Sequence, residues 1–125
     1  MAKARSTTTA RLKWEKVSED YYISIIDPTD TGRTEFYFTE VEGKPVTLSS
    51  APGEDFFIHT PATNTRKGWK VSHAPTGAGV AWGKTKEAAI AAADAAIRSH
   101  GGWTKQRIQN CIAANGLSPR YAFVK

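Results

Sequence analysis

Residues 69–98, WKVSHAPTGAGVAWGKTKEAAIAAADAAIR, decide the fold class. Trp69–His73 alternates, with Trp69, Val71 and His73 on one side and Lys70 and Ser72 on the other, which is the two-residue period of a strand. Pro75-Thr76-Gly77 supplies turn chemistry, and Gly79–Trp82 returns as the second strand of a hairpin. The period then changes. Thr85 is a good N-cap, Glu87 suits the positive end of a helix dipole, and the run to Arg98 consists of strong helix formers. Ser99-His100-Gly101-Gly102 closes the helix with the expected glycine. Ile90 and Ile97 are its only large apolar residues, so a smooth alanine face is predicted to lie close against a sheet.

Working outward, a second helix is predicted over Lys105–Asn115, capped by Thr104 and stopped by Gly116, with Ile108, Cys111 and Ile112 forming its buried stripe. Arg120–Val124 closes the chain as a strand. Upstream, Phe56–Thr60 is an aromatic strand and Val46–Leu48 a short one, with a loop at Ser49–Gly53. Leu12–Val17, Tyr21–Ile26 and Thr34–Val41 are rich in aromatic and β-branched residues, and turns at Asp27–Gly32 and Glu42–Pro45 punctuate them. The predicted fold is α+β: an antiparallel sheet of about five to seven strands packed by two C-terminal helices. It occupies one domain, residues 11–125, behind a flexible basic arm at 1–10 that has no large apolar residue to anchor it. Arg120–Val124 is expected as an edge strand, and either Phe56–Thr60 or Arg120–Val124, if it protrudes as an edge, could pair two chains.

The chain has 125 residues, 40% hydrophobic and 23% charged, which is one globular domain and not a disordered segment. The longest apolar run, Ala88–Ala93, is far short of a membrane span, and no apolar stretch follows the basic N-terminus as in a secretory signal. A cytoplasmic location is expected. Cys111 is the only cysteine and there are three histidines, so neither an internal disulfide nor a Cys/His zinc site is predicted, and no cofactor is implied.

Charge is the most informative bulk property. The formal net charge is +5, but it is unevenly spread. Residues 1–16 carry five basic residues against Glu15. Residues 17–55 carry Arg33 and Lys44 against nine acids, and residues 66–125 carry ten basic residues against Glu87 and Asp94. A basic arm and a basic C-terminal half around an acidic middle predict two surfaces with different partners, unless the segments neutralise each other in the fold.

Ala78-Gly-Val-Ala-Trp-Gly83-Lys84-Thr85 nearly matches a phosphate-binding loop, with Ala78 in place of the first glycine. Such a loop follows a buried parallel strand, whereas here a hairpin precedes it, so a hairpin running into a helix cap is the reading adopted. The helix start, with Lys84 and Lys86 beside free backbone N–H groups, still suits an anion. Gly79-x-x-x-Gly83-Lys84-Thr85-Lys86-Glu87-Ala88 and the alanines Ala91–Ala93, Ala95 and Ala96 after the hairpin resemble the last third of double-stranded-RNA-binding domains. The resemblance covers residues 69–98 and implies that Lys84 and Lys86 contact phosphates. The chain departs from that family at Ala88 and Ala89, where basic residues are the rule, and in having strands where the family has an N-terminal helix.

Basic residues interleaved with aromatics give a second route to nucleic acid. Arg66, Lys67, Lys70, Lys84, Lys86, Lys105 and Arg107 alternate with Trp69, Trp82 and Trp103, which could stack on unpaired bases if they are not core residues. Catalytic readings are poor: the acid pairs lie in turns or at strand ends, His59 and His73 suit hydrogen bonds within the core, and Cys111 sits on an apolar stripe. The expected function is therefore non-enzymatic nucleic-acid binding through Arg66, Lys67, Lys70, Lys84, Lys86, Lys105 and Arg107, helped by the N-terminal arm. The alternative is a small protein-binding inhibitor of the phage or plasmid type, in which Glu35, Glu40, Glu42, Glu54 and Asp55 mimic nucleic acid.

Overall fold

Phe56-Phe57-Ile58-His59 is buried at all four positions, a pattern that requires a strand covered on both faces. The computed structural model describes residues 13–26, 36–60, 67–99, 101 and 105–124; the predicted arm at 1–10 and the predicted turn at Asp27–Gly32 lie outside them. The FFIH strand, β5 (Phe56–His59), is the second of a four-stranded antiparallel meander with β4 (Gly43–Val46), β6 (Trp69–His73) and β7 (Gly79–Gly83). Lys44, Ile58, Val71 and Ala81 are successive cross-strand partners, and the ladder slips by one residue between Val71 and Ser72.

One face of this sheet carries Phe56, Ile58 and Val71. They meet Ala89, Ala93 and Ile97, spaced four apart along α1 (Lys86–Ser99). The alanine face lies against the sheet as predicted. Gly83 marks the tightest approach: a Cβ there would sit 2.3 Å from the Ala89 backbone nitrogen. Gly83→Ala is therefore expected to destabilise the chain by more than the usual surface substitution, in the range of about 1–3 kcal/mol for an overpacked site, read from its urea midpoint. Asp94 fastens α1 to the loop before β5, accepting from the Ser50 N–H at 3.0 Å and the Ser50 hydroxyl at 2.7 Å. Those bonds hold the Asp94 carboxyl below its ordinary pKa.

The opposite face carries Phe57 and Ala74 against Ile23 and Tyr121. It is covered by the hairpin of β2 (Tyr21–Ile26) and β3 (Phe36–Val41) and by the two-stranded ladder of β1 (Trp14–Lys16) and β8 (Tyr121–Phe123). Gly77, at φ +71°, joins the layers: its carbonyl accepts from the Ser24 N–H at 2.9 Å. Between α1 and β8 runs the second helix, α2 (Lys105–Asn115), with Ile108 and Ile112 buried.

The antiparallel α+β class and the two C-terminal helices are as the sequence predicts. Two details differ. Eight strands are described, and they divide into three sheets, because the β1–β8 and β2–β3 pairs stand apart from the four-stranded meander and do not extend it. Phe56–His59 is no edge, since β4 and β6 flank it; the predicted Val46–Leu48 strand instead runs over Gly43–Val46, and Leu48 turns fully into the core. Pro45 fits this edge position, where a missing N–H costs no ladder bond.

Candidate functional site

In an antiparallel meander the start of one strand and the end of the next fall together. Here that rule brings the start of β4, the end of β5, the start of β6 and the end of β7 to one end of the sheet. Lys44 enters from β4, Lys67 from the residue pair before β6, Lys84 from the residue after β7, and Lys86 from the first turn of α1. All four are exposed. Thr85, between the last two, caps α1 by accepting from the Ala88 N–H at 3.1 Å, so the positive end of the helix dipole adds to the same field.

A shallow pocket of about 230 Å³ opens here, lined by Lys44, Lys86, Trp69, Ile58, Thr60, Gly43 and Glu42. The Lys86 ammonium lies 4.7 Å from the centre of the Trp69 ring. Trp69 is half-buried against the helix-side core, and Trp82, also half-buried, donates its Nε1–H to the Lys67 carbonyl at 3.1 Å. The Trp69 ring forms a wall of the pocket. Trp103 lies outside the described residues.

Of the residues singled out in the sequence, Lys67, Lys84 and Lys86 come together. Lys70 does not: its chain runs back along the sheet, and a Cβ on Gly79 would meet its Cε at 2.7 Å, so its ammonium sits toward the far end of β7. Arg107 is exposed on α2, which begins only after α1 has carried the chain about 20 Å from Lys86. Lys105 opens α2, and Arg66 lies outside the described residues. Lys44 escaped the sequence reading because it stands in the acidic segment. The signal that could have found it is the loop at Ser49–Gly53, which pairs β4 with β5 and so places Lys44 beside Ile58.

The five acids of the alternative reading are dispersed. Glu42 lies in the lysine pocket and Glu40 is exposed on β3. Glu54 and Asp55 precede β5, at the other end of the sheet about 10 Å away, where each is hydrogen-bonded internally. Glu35 lies outside the described residues.

Both strand histidines are satisfied within the core. His59 Nδ1–H donates to the Thr60 carbonyl at 2.7 Å and Nε2 accepts from the Ser72 hydroxyl at 2.8 Å, a neutral arrangement. Burial, above all, lowers the His59 pKa from 6.5, with the Lys70 charge adding to it. Because the unfolded chain then binds the extra proton, His59 favours folding fully above about pH 6.5 and less as the pH falls below it. His59→Gln is expected to make the pH dependence of stability shallower as the pH falls below about 6.5, measured by urea unfolding.

His73 links Thr76 Oγ1 at 2.9 Å and Glu54 Oε1 at 3.0 Å, the order of a nucleophile, base and acid. The sequence singled out no such arrangement. Thr76 and His73 are 1% and 0% exposed, however, and Thr76 Oγ1 also accepts from the Ala78 N–H, so the trio acts as a clasp that closes the β6–β7 turn. Among the described residues no group of His, Cys, Asp and Glu could hold a metal ion, and no helix is long and apolar enough to cross a membrane. No family model, curated protein or solved structure matches the chain.

Proposed function

We propose that this chain is a non-enzymatic nucleic-acid-binding protein that holds phosphates at the Lys44, Lys67, Lys84 and Lys86 end of its meander. One observation carries the reading: four exposed lysines from four separate places in the chain converge on one sheet end, beside a capped helix N-terminus. Local sequence cannot produce that convergence, and uncompensated like charge held together costs stability unless a polyanion uses it. Among the described residues Glu42 and Glu87 are the acids beside it, so these four lysines keep the end net positive.

Fluorescence anisotropy with labelled single-stranded DNA, duplex DNA and duplex RNA, each across a salt series, tests the proposal. Four phosphate contacts predict a slope of log affinity against log salt of about −3, from about 0.7–0.9 per contact. The likeness of residues 69–98 to double-stranded-RNA-binding domains makes duplex RNA the most informative of the three. Absence of saturable binding to all three at low salt overturns the reading and leaves a protein as the partner.

A further inference from the structure

At the opposite end of the sheet lies a larger cleft of about 700 Å³, within the range of small-molecule sites. Its walls come from distant parts of the chain: Trp14 from β1, Tyr21 from β2, Glu54 and Asp55 from the approach to β5, and Arg120 and Tyr121 at the start of β8. Arg120 is 7% exposed. Its guanidinium carbon lies 3.9 Å from the centre of the Tyr21 ring, which stacks on Phe57 from its other side at 4.4 Å. One terminal nitrogen of Arg120 donates to the Glu19 and Asp20 carbonyls at 2.6 and 3.1 Å, but its Nε–H is buried with no partner. A buried donor left unpaired costs stability unless an acceptor reaches it.

The two carboxylates are half-used in the same way. Glu54 spends Oε1 on His73, and Asp55 spends Oδ2 on the Tyr121 hydroxyl at 3.1 Å. Glu54 Oε2 and Asp55 Oδ1 have no hydrogen bond among the described residues. Burial, with the neighbouring Asp55 charge, pushes the Tyr121 hydroxyl up to about 12, so it stays a neutral donor. Lys16 and Glu19, also in the lining, pair with each other at 2.9 Å and cancel. The cleft therefore offers two carboxylates with a free acceptor oxygen each, the guanidinium of an incompletely paired arginine, and aromatic faces between them. Its net negative charge disfavours a phosphate.

We infer that this cleft binds a basic amino acid, free or at a chain terminus. The side-chain cation meets Glu54 and Asp55, the alkyl stem lies along Trp14 and Tyr121, and the carboxylate meets the Arg120 guanidinium. Guanidinium suits two adjacent carboxylates best, because it presents several N–H groups in one plane. Aromatic walls add a cation–π attraction.

A titration of the full chain followed by ¹H–¹⁵N NMR tests this with L-arginine, its neutral isostere L-citrulline, agmatine (which lacks the carboxylate) and glycyl-L-arginine. L-arginine is expected to give saturable shifts at the Trp14 indole and at the Arg120 and Tyr121 amides. L-citrulline and agmatine are each expected to bind at least about tenfold more weakly. Glycyl-L-arginine as tight as L-arginine assigns the source as a chain terminus, and weaker binding assigns it as the free amino acid. Glu54→Gln with Asp55→Asn keeps both internal hydrogen bonds and should weaken L-arginine by about tenfold or more. L-citrulline binding as tightly as L-arginine, agmatine doing so, no saturable shift with any of the four, or an unchanged affinity in the double variant overturns the assignment. The ligand comparison is made on the unaltered protein and stands even if the double variant fails to fold.

Discussion

Charge reversal of Lys84 and Lys86 to glutamate together is expected to lower affinity for nucleic acid about a hundredfold at physiological salt, by anisotropy. Each lost phosphate contact removes about 0.7–0.9 from the salt slope, so the slope should fall by about 1.4–1.8 while repulsion accounts for the rest of the loss. The fold should survive. Both side chains are exposed, Thr85 keeps its capping bond to the Ala88 N–H, and acids in the first turn of α1 favour the helix dipole. Lys44→Glu should weaken binding too, although Lys44 lies in the acidic part of the sequence. Lys70→Glu should leave affinity within about twofold, because its ammonium is turned toward Gly79 and away from the lysine end. Equal losses from Lys70 and Lys84 reversals would mean that bulk charge, and not this site, binds the ligand.

Phe57→Ala should destabilise the chain by about 3–5 kcal/mol and lower its Tm by about 10–20 °C. Phe57 is fully buried and stacks on Tyr21; it also packs so close to Gly43 that a Cβ there would sit 2.7 Å from its ring. It is the largest side chain through which the second face of the sheet grips the strands that cover it. Truncation leaves a cavity that neither the β2–β3 hairpin nor the β1–β8 ladder can fill without shifting. Since domains of this kind retain only about 5–15 kcal/mol of net stability, the loss is a large share of the whole. Phe57→Leu should cost distinctly less, by partly refilling the space. A loss of under about 1 kcal/mol for the alanine variant, by urea unfolding, would show that the two layers are not held together at this residue.

Local signals carried much of the fold. The hairpin at 69–83, the Thr85 cap and the alanine face of α1 appear where alternation, turn residues and helix formers place them, because each depends on neighbours a few residues away. The same locality explains the misses. Phe56–His59 reads as an aromatic strand in any setting; that it is central was settled by β4 and β6 docking on its two sides. Leu48 belonged to a strand by pattern and to the core in fact, because the edge strand ends at Val46 and the chain turns inward there.

The candidate sites were less legible for the same reason. Lys67, Lys84 and Lys86 stand near one another in the chain and could be grouped from it, but Lys44 joins them only through the β4–β5 register, and Lys70 leaves them through its side-chain path. Arg120 drew no attention in the sequence, and its stacking on Tyr21, about a hundred residues away, exists only once β1 and β8 pair. By itself, then, the sequence determined the class, the hairpin–helix unit and the basic character of the C-terminal half, since propensity, capping and composition act over short distances. Which charges share an end, which acids are tied up internally and where a cleft opens were decided by strand order and register, which depend on contacts between residues far apart in the chain.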